Sequence, residues 1–266
     1  MNIGDFEIQA ITDGSGTEQA AEIISRFSDA EAWRGHPEEF GHDGRWTFPV
    51  GGFLIRGGGR LILVDAGVGP LDEGGYTGGG LPQSLRANGV EPAQVTDVLF
   101  THLHFDHVGW ASVEGRAAFP RATYRAHRAD WERFVDGPDA DERVRRVLLP
   151  VAERFELFEG DLDVVPGVVA RWTPGHTPGS VVVVVASRGE RAVLLGDTVH
   201  SVVQLAEDDW TVVWDDDPVA ASLMRNTLAD EAAERGDLVV AAHFPAQAFG
   251  RVVSSGGRRR FVRSTR

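Results

Sequence analysis

A chain of 266 residues, 42% hydrophobic and 25% charged, has the composition of a globular protein and enough length for one large core or two small ones. Its net charge of −14, from 40 acidic against 26 basic residues, is the wrong sign for displacing counterions from nucleic acid, and this excludes that class of partner. Cysteine and lysine are both absent, since every basic residue is arginine. Disulfides, thiolate metal ligands, Schiff-base chemistry and P-loop chemistry are therefore ruled out.

In chain order, Phe6 to Ile11 alternates apolar and polar residues as a strand does. Residues 12 to 49 show little regularity but hold Phe27, Trp33, Phe40, Trp46 and Phe48, and are expected to form an irregular segment covering the active site. Val50 to Arg56 and Arg60 to Val64 predict a hairpin over Gly57-Gly58-Gly59. Residues 68 to 80 are Gly-rich and read as loop, Leu81 to Asn88 as a short helix stopped by Gly89, and Val95 to Thr101 as a strand. A strand over Arg121 to Ala126 and a helix over His127 to Val135 follow. Asp139 to Phe155 has helical spacing at Val144, Val147, Leu148 and Val151.

Strands are then predicted at Val164-Val165, Val168 to Trp172, Val181 to Ala186 and Ala192 to Leu195. Pro218 to Arg235 predicts the longest helix, with Pro218 in its first turn and Gly236 just past its end. A strand over Leu238 to Ala242 and a closing hairpin, Arg251 to Ser254 and Arg259 to Arg263 over Gly256-Gly257, complete the chain. The longest apolar run, Val181 to Ala186, has strand length and falls far short of the roughly 18 residues of a membrane helix. The start, Met1-Asn2-Ile3-Gly4-Asp5, lacks the basic region and apolar core of a secretory signal, so a cytoplasmic location and no membrane partner are expected. Mixed strands and helices without repeats predict one α/β domain spanning 1–266, with two packed sheets.

The strongest chemical signal is Thr101-His102-Leu103-His104-Phe105-Asp106-His107, three imidazoles and a carboxylate directly after a predicted strand. In extended chain His102 and His104 share a face, and a turn after them brings Asp106 and His107 round. Imidazole with carboxylate suits Zn, Mn, Fe or Co. Three more ligand-type residues close apolar strands further on: His176 in Thr173-Pro174-Gly175-His176-Thr177-Pro178-Gly179, Asp197 after Leu194-Leu195-Gly196, and His243 after Ala241-Ala242. Strand ends are where α/β folds gather their sites.

The order HxHxDH, His176, Asp197, His243 resembles the metallo-β-lactamase superfamily over nearly the whole chain. That resemblance implies an αββα sandwich of two mixed sheets flanked by helices, with two divalent metal ions, zinc first among the candidates, at one edge. It implies His102, His104 and His176 on one metal, Asp106, His107 and His243 on the other, and Asp197 bridging them. Asp65 matches the strand-end Asp that orients a ligand His from behind. A hydroxide shared by the metals would attack an ester, lactone or phosphoester centre, with Asp106 handling the proton.

Asp197 in the bridging position of a cysteine-free chain departs from the cysteine-ligated β-lactamases. The runs around His102 and His176 resemble N-acyl-homoserine lactonases, which carry a Tyr three residues after the bridging Asp. Here that position is His200, in a run that resembles methyl parathion hydrolase and its relatives. A lactonase or esterase, with phosphotriesters as a further substrate class, is therefore expected. Phosphodiesterase and β-lactamase activities are the alternatives within the superfamily, and a metal-binding or partner-binding domain without turnover is the alternative outside it. His200 is expected to touch substrate or a ligand, and Trp46 and Trp110 to line an apolar pocket. Trp131, Trp172 and Trp214 are expected to be ordinary core. A small-molecule substrate is the expected partner, with a homodimer as the open question.

Overall fold

The computed structural model describes residues 1–138 and 140–264. Phe6–Gln19 pairs antiparallel with Arg45–Gly57, which turns back into Arg60–Val64. Gly57 faces Arg60 across this hairpin, so Gly58 and Gly59 alone make the turn, both at positive φ, 56° and 73°. Two positive-φ residues define the tight turn that matches strand twist, and glycine adopts it without a Cβ clash. Arg60–Val64, Asp97–Leu99, Thr123–His127 and Phe155–Phe158 continue the same nine-stranded sheet in parallel. A seven-stranded sheet takes Leu162–Val165, Val168–Trp172, Val181–Ser187, Glu190–Leu194, Leu238–Val240, Gly250–Ser255 and Arg258–Arg263 in that spatial order.

The sheets pack face to face. Ile8, Phe53, Ile55, Val64 and Leu99 of the first meet Val168, Val183, Val185, Leu194 and Val240 of the second. On the outer side of the first sheet, Leu54, Leu63 and Val98 pack against Leu81, Leu85, Val144 and Leu148 from helices. On the outer side of the second, Val182, Val193 and Val239 pack against Leu228, Ala229 and Ala232 of the Pro218–Arg235 helix. This is the αββα sandwich. It explains the unbroken valine run: Val181, Val183 and Val185 face the inner layer while Val182 faces the helix layer, so both faces of that strand are buried.

The Pro218–Arg235 helix has the predicted bounds. Asp217 caps it by accepting from the Ala220 N–H at 2.9 Å, Pro218 occupies the first turn, and Gly236 ends it at φ 69°. Other elements differ. The strand expected over Val95 to Thr101 holds the ladder only at Asp97–Leu99, because the Thr101 N–H leaves it for the Asp65 side chain. The helix expected over residues 139 to 155 is α-helical only at Glu142–Leu148 and tightens to 3₁₀ over Leu149–Arg154, where Pro150 has no N–H to donate; Asp139 lies outside the described residues. Residues 68–80 contain a small hairpin, Asp72–Glu73 with Tyr76–Thr77, docked on the first strand.

Residues 12–49 are more regular than expected. The first strand runs on to Gln19 and its partner begins at Arg45, so a long ladder occupies both ends of this segment. Between them, Ile24–Arg26 pairs with Trp210–Val212, and Trp33, Phe40, Trp46 and Phe48 form a core of their own with Trp210. Among the described residues, no helix is long and apolar enough to cross a membrane.

Candidate metal centre

Each sequence-predicted ligand leaves the sandwich just after a strand. His102 and His104 follow Asp97–Leu99, and Asp106 and His107 sit on the short helix Phe105–Val108. His176 lies in the turn between Val168–Trp172 and Val181–Ser187, Asp197 follows Glu190–Leu194, and His243 follows Leu238–Val240. The fold brings all seven together. Ligand-type atoms of His102, His104 and His176 lie within 4.8 Å of one another, as do those of Asp106, His107 and His243, and those of His102, His107 and Asp197. Asp197 stands between the two sets: Oδ1 is 3.3 Å from His107 Nε2, and Oδ2 is 3.2 Å from His243 Nε2 and 3.8 Å from both His102 Nε2 and His176 Nε2.

The far side of most rings is committed. His107 Nδ1–H donates to Asp65 Oδ2 at 2.9 Å, His176 Nδ1–H to Asp215 Oδ1 at 3.0 Å, and His243 Nδ1–H to the Pro49 carbonyl at 2.9 Å. Thr101 donates its hydroxyl to Asp65 Oδ2 at 2.8 Å, so at 3.1 Å it accepts from His102 Nδ1–H. When neutral, each of these rings turns a bare Nε2 lone pair inward; when protonated, His243 Nε2–H donates to Asp197 Oδ2 instead. His102 Nε2 and His176 Nε2 each lie 3.1 Å from His104 Nδ1. A single His104 Nδ1–H can point at only one of those two lone pairs, whereas a cation held among the three nitrogens serves all of them. Buried His107 Nε2 and Asp197 Oδ1 also lack any hydrogen-bond partner, which native interiors rarely tolerate. The donor set fits metal ions.

The electrostatics agree with this. Burial, reinforced by the neighbouring rings, holds His102 and His104 well below the usual imidazole range, keeping them neutral donors. Burial also opposes charge on His107 and His243, but the carboxylates of Asp197 and Asp106 outweigh it and hold both rings above that range, His107 furthest. This half of the site calls for positive charge. Asp197 is pushed up by burial, yet His243, His107 and His200 overcome that and hold it well below the ordinary carboxylate range.

A cavity of about 330 Å³ opens onto His104, Asp106 and Asp197. Tyr76, Phe105, Phe134 and Trp214 supply its aromatic wall, with Arg133 and Arg143 beside them. Arg133 pairs with Asp216 at 3.3 Å and Arg143 with Asp141 at 3.1 Å. A larger groove of about 1040 Å³, among Arg191, Arg235 and Arg251, contains none of these ligand candidates.

The expectations for four tryptophans need correction. Trp46 is buried in the aromatic core and meets the cavity only through its stack under Trp214, centroids 6.4 Å apart. Trp110 turns away, its Nε1–H donating to Asp13 Oδ1 at 2.8 Å. Trp214, expected as ordinary core, is the tryptophan that faces the cavity, while Trp172 is 43% exposed and stacks on His127. His200 is wholly buried and does not line the cavity, but it does touch a ligand candidate, its ring nitrogen lying with the donor atoms of His176 and Asp197 within 4.8 Å of one another. Its Nε2 lies 3.2 Å from Asp197 Oδ2 without the alignment of a hydrogen bond, and burial pushes it down to about 4 against the opposing pull of Asp197.

Several residues that shape the site carry no sequence signature of their own. Asp13 accepts from Val68, Gly69, Gly79 and Leu81 N–H groups as well as Trp110, which folds residues 65–81 against the centre. Asp130 accepts from Leu103 N–H at 2.9 Å, Gly179 N–H at 2.6 Å and the Thr177 hydroxyl at 3.0 Å. It thereby ties the His102–His107 loop to the His176 turn. Asp130 and Asp215 are acids whose sequence neighbourhoods suggest only a helix turn and an exposed acidic run.

Comparison with known proteins agrees with this architecture. The Lactamase_B family model, the metallo-beta-lactamase superfamily, matches residues 47–243. An N-acyl homoserine lactonase from a Bacillus species is 34% identical over 111 residues, 42% of this chain and 41% of that protein. The chain thus matches about two-fifths of the length of this curated relative. The solved structure of AidC, a dizinc quorum-quenching lactonase in complex with a product, superposes with a TM-score of 0.89 at 20% identity, covering 100% of this chain and 97% of that one. The hydrolase AbOPH, of the beta lactamase superfamily, superposes with a TM-score of 0.85 at 26% identity over 98% of this chain and 95% of its own. A family match that takes in the HxHxDH loop, His176, Asp197 and His243, on an αββα sandwich that gathers them at one point, makes this chain a member of the metallo-beta-lactamase superfamily.

Proposed function

We propose that the chain is a two-metal hydrolase that opens a lactone or cleaves a carboxylic ester bearing an apolar arm. His102, His104 and His176 would hold one divalent ion, Asp106, His107 and His243 the other, and Asp197 would reach both. Imidazole and carboxylate donors suit zinc, with manganese, iron or cobalt as substitutes. Such a pair supplies Lewis acidity and a water nucleophile active near neutral pH.

The protein's own residues do the rest. Asp65 and Asp215 hold His107 and His176 in one tautomer. Asp106, at the cavity floor, is placed to accept a proton from the nucleophile and return it to the leaving alkoxide. Tyr76, Phe105, Phe134 and Trp214 remove an acyl or aryl arm from water. Tyr76 stays a phenol throughout the working range, because burial and then the charges of Asp106 and Glu18 oppose its ionisation.

The observation that carries this reading is the convergence of seven metal-type donors, three of which, His104, Asp106 and Asp197, line an aromatic cavity. The N-acyl homoserine lactonase relative supports a lactone over other esters. The test compares an acyl lactone, an aryl acetate and a dialkyl aryl phosphate with a cyclic dinucleotide and a β-lactam, on zinc-loaded protein. Fastest turnover of the lactone or acetate is expected. Preference for the phosphate would make the enzyme a phosphotriesterase, and preference for the dinucleotide or the β-lactam would replace the proposal with one of those activities. Two bound metals with no turnover of any of them would favour a binding role.

A further inference from the structure

Behind His176 lies a buried charge pair, Asp215 with Arg225. Asp215 accepts the His176 Nδ1–H at 3.0 Å on Oδ1, and on Oδ2 accepts the Val212 N–H at 3.2 Å. Arg225, from the Pro218–Arg235 helix, lies with Nη2 3.2 Å from Asp215 Oδ2. It is 1% exposed, a costly place for a guanidinium unless its donors are matched. They are: Nε donates to the Thr198 carbonyl at 2.8 Å and Nη1 to the Trp210 carbonyl at 2.7 Å. Thr198 is the residue after Asp197. One buried cation therefore grips both the carboxylate behind His176 and the backbone beside Asp197, fixing the distance between two ligand candidates on different loops.

We infer that Asp215, held by Arg225, is a positioning residue that presents the His176 lone pair and so sets metal affinity at the His102, His104, His176 group. The inference rests on the two-metal reading of the cluster. Three inward nitrogens lie within 3.1 Å contacts at that group, and only a ring with its proton fixed on Nδ1 offers Nε2 to an ion. The other group leans on a separate acid, Asp65, through His107. Asp65 touches His107 directly and reaches His102 only through the Thr101 hydroxyl, whereas Asp215 backs His176 alone, so loss of Asp215 should fall on one half of the centre.

The experiment titrates chelator-stripped protein with zinc by calorimetry, and reads imidazole tautomers of the zinc-loaded protein from long-range ¹H–¹⁵N spectra. Wild-type protein is expected to take two equivalents, with His176 protonated on Nδ1. Asp215→Ala is expected to weaken one equivalent by about 10–100-fold, the range for lost outer partners of metal ligands, to leave the other nearly unchanged, and to blur the His176 tautomer pattern. Asp65→Ala should weaken the other equivalent more strongly, with a smaller effect on the first through Thr101 and His102. Asp215→Asn keeps the volume and a neutral acceptor, so it guards against simple loss of fold and should weaken the same equivalent less than Asp215→Ala does. Circular dichroism checks that each variant is folded. Unchanged affinity for both equivalents in a folded Asp215 variant, or equal weakening of both, overturns the inference while the two-metal reading stands. Wild-type protein that binds fewer than two equivalents overturns both.

Discussion

Asp65 accepts the His107 Nδ1–H at 2.9 Å from a backbone held at φ 60°, a conformation that non-glycine residues seldom adopt. The same carboxylate takes the Thr101 N–H and hydroxyl, both at 2.8 Å. Strain of this kind costs about 1–3 kcal/mol and persists where the surroundings over-determine it. Gly52 is part of those surroundings, since a Cβ there would lie 2.3 Å from the Asp65 carbonyl oxygen. Asp65→Gly would relieve the backbone but release His107. Zinc retained after dialysis against a weak chelator should fall in this variant even where its melting temperature is unchanged.

Asp106 is expected to move protons as well as bind metal. Asp106→Asn retains an oxygen donor and loses the acceptor. Lactone turnover per bound zinc should fall about 10²–10⁴-fold, the usual weight of a general acid–base group. Metal analysis and turnover measured on the same sample separate the two roles, and losses in equal proportion would leave Asp106 a ligand only.

The cavity wall predicts a split between binding and chemistry. Trp214→Ala removes apolar surface beside Asp197 without touching a donor. It should raise KM for a long-chain acyl lactone by about tenfold, as expected for losing part of an aromatic contact, and change KM for a short-chain lactone little. Trp110→Phe should leave both values alone. A chain-length series in each variant provides the check.

Asp13 has a structural weight out of proportion to its place in the first strand. Asp13→Ala strands four backbone N–H groups and the Trp110 indole. At about 1–3 kcal/mol for each unsatisfied buried donor, the loss should exceed 3 kcal/mol, in the manner of the largest single-site effects. Urea unfolding should place Trp110→Phe, which removes one of those donors, much closer to wild type.

Asp130 links stability to pH. Burial raises it to about 6, against the opposing pull of its hydrogen bonds with Thr177, Gly179 and Leu103. A carboxyl whose folded pKa lies above its unfolded value binds its proton more tightly in the folded state. Its contribution is fully present below about pH 4 and is lost as pH rises through 6, amounting to about 3 kcal/mol. Asp130→Asn cannot titrate. The stability gap between wild type and this variant should therefore shift against wild type from pH 4 to pH 7, measured by denaturant unfolding at fixed zinc. A gap that is flat across this range would mean that Asp130 stays ionised.

Much of this protein follows from its sequence because the physics is local. The valine run, the Gly58-Gly59 turn and the Asp217-Pro218 start of the long helix each act over a few residues, so their elements are legible. The HxHxDH spacing is legible for the same reason, and His176, Asp197 and His243 announce themselves by closing apolar strands. Other features depend on which way a side chain turns once distant segments meet. Trp110 leaves the cavity because Asp13, 97 positions away, takes its indole N–H. Trp214 enters it because residues 12–49 pack Trp46 and Phe48 beneath it. His200 is close to Asp197 in both sequence and space, yet it is wholly buried and does not reach the cavity. Asp215 and Arg225 read as an acidic run and a helix position until the Pro218–Arg235 helix docks on the second sheet. Periodicity specifies a buried face but not the neighbour across it, and only tertiary packing supplies that neighbour.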